Sequence, residues 1–215
     1  MPAYVRSVNH GRVFEAAWAG RLRRTAIDKR PTTRAVTVGE LGVTGDEQAD
    51  TKYHGGHDKA VYAFAREDLD RWERLLGRSL HDGQFGENLT TSGIDVNHAL
   101  VGERWRVGDA LLEVCSVRIP CRVFANWLEE QGWVRRFTAD ARPGPYLRVI
   151  EPGLVAAGDQ IAVEDRPAHE VTASTVFRAM TARPDLLPLL LEVPALEVDL
   201  ADQARRRLRT KPTLG

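Results

Sequence analysis

Ala110-Leu111-Leu112-Glu113-Val114-Cys115-Ser116-Val117 runs straight into Arg118-Ile119-Pro120-Cys121, and the change of character between the two halves decides how the chain is read. The first half alternates, with Leu112 and Val114 on one face and Leu111, Glu113 and Cys115 on the other, the two-residue period of a strand. After Cys121 the pairs Val123 with Trp127 and Phe124 with Leu128 recur at helical spacing, ending near Gly132. Cys121 therefore falls at a strand-to-helix junction.

Outward from this junction, short strand-like stretches are punctuated by glycine turns: residues 4–8, 35–38, 60–65, 105–107, 147–150 and 160–163. Such spacing predicts a mainly β fold, and a closed β-barrel would remove exposed strand edges. A peripheral helix is expected from Arg66 to the stop at Gly77, where Leu69, Trp72, Leu75 and Leu76 share a face. Near Asp165-Arg166-Pro167 the strand-like spacing gives way to helical spacing. Residues 1–165 are thus read as the barrel domain, and residues 166–215 as a small appendage of three helices over 173–180, 186–193 and 199–208. Pro184, Pro188 and Pro194 limit their lengths.

The 215 residues include 30 basic and 30 acidic side chains, so no global field recruits nucleic acid or an anionic membrane. The run Arg205, Arg206, Arg207, Arg209 and Lys211 reads as a solvated C-terminal helical turn. No leader-like start and no run of 18 apolar residues is found, and the expectation is a cytoplasmic protein with no membrane contact. Two cysteines are too few for a disulfide framework, and the C-x5-C spacing of Cys115 and Cys121 is not a zinc pattern.

Cys121 follows a proline and opens a helix, with Arg118 and Arg122 nearby, a setting that favours thiolate, the form that attacks electrophiles and ligates soft metals. The alternative is a buried, inert cysteine. Cys115 lies inside a β-pattern and reads as core. In His54-Gly55-Gly56-His57-Asp58-Lys59, paired glycines let backbone amides approach an anion while Lys59 and the histidines supply donors; the alternative is a simple tight turn. Asp46, Glu47, Asp50, His54, His57 and Asp58 crowd together, but their spacing matches neither an EF-hand loop nor a zinc helix. Thr25-Ala26-Ile27-Asp28-Lys29 and Phe85-Gly86-Glu87-Asn88-Leu89 are polar loops that alone would attract no functional reading.

Taken in chain order, these segments resemble the MOSC family, named for the C-terminal domain of molybdenum-cofactor sulfurase, and within it the small stand-alone bacterial members of the YiiM type. The likeness runs through Thr25-Ala26-Ile27-x-Lys29-x-Pro31, Leu41-Gly42-Val43-x-Gly45-Asp46-x-Gln48-Ala49-Asp50, His54-Gly55-Gly56-x-Asp58-Lys59-Ala60-Val61, Gly86-Glu87-Asn88-Leu89, Gly108-Asp109 and Arg118-x-Pro120-Cys121. It reaches to about Val163, and the final segment resembles the three-helix domain that commonly follows this barrel. The resemblance implies a β-barrel in which Cys121 is the protein ligand to molybdenum held by a pterin dithiolene. Lys29, His54, Gly55, Gly56, Asp58, Lys59 and Arg118 would surround the pterin and its phosphate. Thr25 and Asn88 would face the same cavity, Asn88 joining Cys121 as a catalytic residue. One position departs: the family usually has P-R-x-P-C, and Val117 takes the place of the first proline.

The activity so implied is a molybdenum-dependent reduction of N-hydroxylated compounds such as hydroxylamino purines, amidoximes or hydroxamates. No G-x-G-x-x-G fingerprint and no iron-sulfur cysteine cluster is present, so electrons are expected from a separate flavin or iron-sulfur protein. Two further functions stay open. Cys121 could carry a persulfide, since that exchange also uses thiolate; or the chain could hold the cofactor without turnover, a role that, like a homodimer, suits the balanced charge and the helical appendage.

Overall fold

The computed structural model describes residues 2–50 and 55–210. Its strands in chain order are β1 (Tyr4–His10), β2 (Phe14–Glu15), β3 (Arg24–Thr25), β4 (Arg30–Pro31), β5 (Val36–Gly39), β6 (Gly42–Val43), β7 (Val61–Ala65), β8 (Leu89–Ser92), β9 (Arg104–Val107), β10 (Ala110–Val117), β11 (Pro145–Glu151), β12 (Gly153–Val155) and β13 (Ile161–Asp165). The main sheet has the order β13-β9-β10-β11-β7-β8-β1-β4. Its pairings are antiparallel except for β7 and β8, which run parallel and are joined by a crossover containing helix α1 (Arg66–Leu76). α1 stops where the sequence demands: Gly77 adopts φ 66°, and its N–H returns to Glu73 O at 2.8 Å.

The two ends of the sheet approach each other without joining in a ladder. Val5 N donates to Asp159 O at 2.8 Å, Gly158 N to Val5 O at 2.7 Å and Ile161 N to Ala3 O at 2.9 Å, around the single bridge of Tyr4 with Gln160. The closed barrel expected from the strand spacing is therefore not formed; the sheet is curled. The reason lies in β1. One edge pairs with β8 along its length, and at the far end of the other edge Asn9 and His10 already pair with Pro31 and Arg30. Only the first residues of β1 remain to meet the approach to β13.

β7 and β10 are buried along their whole length. Inside the curl, Val5, Val8, Val61, Ala63, Leu112, Val114 and Leu147 form one apolar cluster. A second cluster takes Tyr62 and Phe64 from the other face of β7 and packs them against α1, α2 (Arg122–Leu128) and α3 (Trp133–Asp140). Within it the rings of Trp72, Phe85, Phe124, Trp133 and Phe137 meet at centroid separations of 4.6 to 6.5 Å, the range in which aromatic pairs add to simple area burial. The helix expected from Cys121 to near Gly132 ends at Leu128, where Glu129 turns left-handed (φ 54°), and a further helix, α3, which was not expected, starts after Gly132 (φ 69°).

The second cluster continues across residue 165 into α4 (Ala173–Thr181), α5 (Leu187–Leu190) and α6 (Val198–Thr210), so the C-terminal helices share a core with the preceding part. The helix expected over 186–193 shrinks to the single turn of α5, which follows the short turn Pro184–Leu186 and has Pro188 in its first turn. In the basic run, Arg205 pairs with Asp202 at 2.7 Å and Arg207 donates to Met180 O; Lys211 lies outside the described residues. Among the described residues no helix is long and apolar enough to cross a membrane.

Candidate functional site

The end of β10 leads into a cleft of about 520 Å³. Arg118 leaves the strand and turns its guanidinium inward, where it is 7% exposed. Nη1 donates to Tyr146 Oη at 3.1 Å, and the guanidinium lies over the rings of Phe124 and Tyr62, 5.1 and 5.5 Å from their centroids. These cation–π contacts stand where a counter-ion would be expected. No carboxylate among the described residues pairs with Arg118, and its Nε is buried without an acceptor. Ile119 and Pro120 then carry the chain to Cys121, the extended residue (φ −126°, ψ 172°) that caps the seven-residue helix α2. Cys121 is a free thiol, half-buried, in the cleft wall.

Facing this junction is the stretch from Thr25 to Lys29. Thr25 is buried, its hydroxyl accepting from Ile27 N at 3.2 Å. Lys29 is buried and pairs with Asp46. Burial lowers its pKa, the carboxylate of Asp46 opposes that shift, and the nearby charge of Arg118 adds to it. Asp46 also accepts from Asn88 Nδ2 and from Gly11 N, each at 2.9 Å. Asn88 is tied further, its Oδ1 accepting from Tyr62 N at 3.1 Å and its Nδ2 donating to Asn9 O at 3.3 Å. Beside it Gly86 adopts φ 78°, and a Cβ there would fall 3.2 Å from the Ile27 side chain, so the turn favours glycine. The loop is organised by Glu87, whose buried carboxylate accepts from Gly83 N, Phe85 N and the Thr90 hydroxyl at 2.6 to 2.9 Å. Burial raises the Glu87 pKa to about 7.

Of the residues singled out in the sequence, the structure brings Thr25, Lys29, Lys59, Asn88, Arg118 and Cys121 to this one cleft. Gly55, Gly56 and Asp58 are not among the described residues that line it. Gly56 (φ 96°) starts the short turn His57–Lys59, and the Asp58 carboxylate pairs with Arg148 at 3.0 Å. His54 lies outside the described residues. Of the acidic crowd, Asp46, Glu47 and Asp50 line the cleft as well, Asp46 paired with Lys29 and Glu47 accepting from Val13 N at 2.6 Å, but among the described residues no group of three His, Cys, Asp or Glu could hold a metal ion. Cys115 is fully buried, its pKa pushed up to about 12 by burial.

Sequence reasoning missed several cleft residues. Tyr62 and Tyr146 sit in strands whose apolar neighbours hide any functional signal. Ala19 to Leu22 and Arg24 line the cleft as well, next to Trp18, which is stacked on Trp127 (6.2 Å) and whose O accepts from Asn126 Nδ2 at 2.8 Å. Glu197, which pairs with Lys59, comes from the far end of the chain.

Comparison with known proteins bears on this geometry. The MOSC domain model matches residues 50–162, more than half of the chain. YflK of Bacillus subtilis (strain 168) is 34% identical over 162 residues, 75% of this chain and 73% of that protein. A protein of Gibberella moniliformis (strain M3125 / FGSC 7600) named a reductase is 32% identical over 217 residues; the match takes in 98% of this chain and only 38% of the fungal protein. The crystal structure of YiiM from Geobacillus stearothermophilus superposes with a TM-score of 0.82 at 25% identity, over 96% of this chain and 100% of that one. The matched region includes Lys59, Asn88 and the junction from Arg118 to Cys121, and the chain belongs to the MOSC domain family.

Proposed function

We propose that the chain is a molybdenum-cofactor-binding oxidoreductase that reduces N-hydroxylated compounds, of the hydroxylaminopurine or amidoxime type, with electrons from a separate redox protein. MOSC domains are associated with molybdenum-cofactor binding. The observation that carries the reading is Arg118, a buried guanidinium with an orphaned Nε and no carboxylate partner among the described residues, lining the same cleft as the Cys121 thiol. An uncompensated buried cation costs several kcal/mol, which a phosphate-bearing ligand offsets on binding. The donor set fits such a group: Cys121 Sγ is a soft metal ligand, Arg118, Lys29 and Lys59 are phosphate donors, and about 520 Å³ suits a small-molecule cofactor.

When bound, the cofactor supplies the two-electron centre at which the N–O bond is cleaved. The chain's residues do the remaining work. Arg118 and Lys29 bind and orient the anionic part, while Ala26, Ile27 and Val123 give the cleft an apolar wall that limits water. Reduction of R–NHOH to R–NH2 and water takes two electrons and two protons. Lys29 Nζ holds a proton that burial makes easier to release than that of an exposed lysine, and Asp46 and Asn88 fix its place. The electrons arrive from outside, through a flavin or iron-sulfur protein. A cytoplasmic location belongs to the same proposal.

The test is expression in a host that makes the cofactor, followed by molybdenum and pterin quantification on wild type and Cys121→Ala. Wild type is expected to retain about one molybdenum per chain and the variant almost none. Near-zero metal in both, with a one-sulfur mass gain on Cys121 of the wild type from a sulfane-sulfur donor such as polysulfide, whose shortened chain leaves as the thiolate is sulfurated, refutes the reading and favours a persulfide carrier. Metal bound without turnover, given several electron donors, leaves a carrier of the cofactor.

A further inference from the structure

Lys59 closes the turn His57–Lys59, its N–H returning to Gly56 O at 3.1 Å, and its side chain runs along the cleft wall. A lysine side chain has several rotatable bonds and does not hold one position unaided. Here its Nζ lies 2.5 Å from Glu197 Oε1. Glu197 is only 4% exposed, and the rest of it is tied down as well. Its second carboxylate oxygen accepts from the Ser116 hydroxyl, its N–H donates to Cys115 O at 2.8 Å, and its carbonyl accepts from Ala201 N at 3.0 Å in the first turn of α6. Two of these anchors lie on β10, the strand that ends in Arg118 and leads to Cys121. Just before Glu197, Ala195 O accepts from Arg148 Nη2 at 2.9 Å. A residue needed only to start α6 would be served by a short capping side chain. Glu197 instead sends a long carboxylate to Ser116 and Lys59.

We infer that Glu197 is a positioning residue of the cleft: it holds the Lys59 ammonium in the wall, so that the segment beyond residue 165 helps to build the anion-binding surface as well as covering the sheet. The inference rests on the reading that the cleft takes a phosphate-bearing group, not on the identity of the metal. It also explains the charge pattern. Lys29 is matched by Asp46 and Lys59 by Glu197, which leaves Arg118 as the buried cleft cation without a carboxylate among the described residues, beside the exposed Arg21 and Arg24.

The experiment uses the full chain without cofactor. Lys59 acylation by a pulse of acetic anhydride is followed by mass spectrometry, with and without inorganic phosphate, in wild type, Glu197→Gln and Glu197→Asp. Glutamine keeps an acceptor for Ser116 but removes the charge. Loss of the charge-assisted bond is expected to raise Lys59 acylation about tenfold and to weaken its protection by phosphate, with Glu197→Asp between the two. Acylation within about twofold of wild type in Glu197→Gln overturns the inference, since a purely structural anchor would move the melting temperature and leave Lys59 alone. Phosphate that protects Lys59 equally in both proteins, or in neither, overturns it too. Should Glu197→Gln fail to fold, Glu197→Asp carries the comparison. Neither readout uses molybdenum or turnover, so failure here leaves the metal reading standing, and loss of the metal reading leaves this result standing.

Discussion

Replacing Glu87 with glutamine isolates the charge of a carboxyl that the fold has shut away from solvent. Glu87 is fully buried, and burial raises its pKa from 4.5 to about 7 against the pull of the donors from Gly83, Thr90 and Phe85. The unfolded chain releases this proton near pH 4.5 and the folded chain near 7. Between those values the folded state binds more protons, so stability falls as the pH rises. The gap is about 2.5 units, and at about 1.36 kcal/mol per unit the group contributes ~3.4 kcal/mol that is fully present below pH 4.5 and lost as the pH rises through 7. A neutral glutamine has no such slope. Urea unfolding of wild type and Glu87→Gln across this range should therefore show the stability difference, wild type minus variant, falling by about 3 kcal/mol while other titrations cancel. A flat difference refutes the reasoning. A difference that grows with pH means that the three donors outweigh desolvation and keep the carboxylate ionised in the fold. The outcome bears on function, because this carboxyl organises the loop that presents Gly86 and Asn88 to the cleft.

Arg118→Met keeps an unbranched side chain against Tyr62 and Phe124 but removes a buried cation that has no carboxylate partner among the described residues. Calorimetry on the cofactor-free protein should give an unchanged or higher melting temperature while pterin and molybdenum binding is lost; a large drop would show that the guanidinium is already compensated. Thiol titration with an aromatic disulfide at neutral pH should find one reactive group in the native wild type, Cys121. Cys115, fully buried with its pKa pushed up to about 12, should react only on unfolding, and native Cys121→Ala should show none.

The parts of the fold that were legible from sequence are those set by local rules. β10 was read with its observed limits because its alternation is uninterrupted, and α1 because its apolar face ends at a glycine able to turn left-handed. β8 went unread: Leu89-Thr90-Thr91-Ser92 carries little pattern, and its strand state comes from parallel pairing with β7. α3 is not legible because only Trp133 and Phe137 of its eight residues are buried, and no longer apolar stripe follows the stop at Gly132. Six of the chosen site residues share the cleft because they sit in short motifs whose chemistry is visible locally. Glu197 could not be seen that way: it lies 81 residues from Ser116 and 138 from Lys59, and an acidic residue before a helix looks like an ordinary start signal.

Val117 remains the point at which the chain departs from the usual motif, and the structure shows what replaces the missing proline. Proline would fix φ and remove an N–H at the end of β10. Val117 is 2% exposed, belongs to the cluster that contains Phe124 and Tyr146, and pairs in register with Pro145 at the start of β11. Just beyond that pair, Arg118 N donates to Gly144 O at 3.4 Å. Gly144 is itself fixed, since at φ 68° a Cβ would fall 2.3 Å from Ala63 O, and the chain there must lie flat against β7. The strand end that aims Arg118 and Cys121 is thus held from the side, by a proline on the facing strand and a close backbone approach, rather than by its own φ. β10 is covered on one face by the core inside the curl, and its Cys115–Ser116 stretch is bonded to Glu197 of the C-terminal segment, so Val117 sits at a strand end that its neighbours already fix.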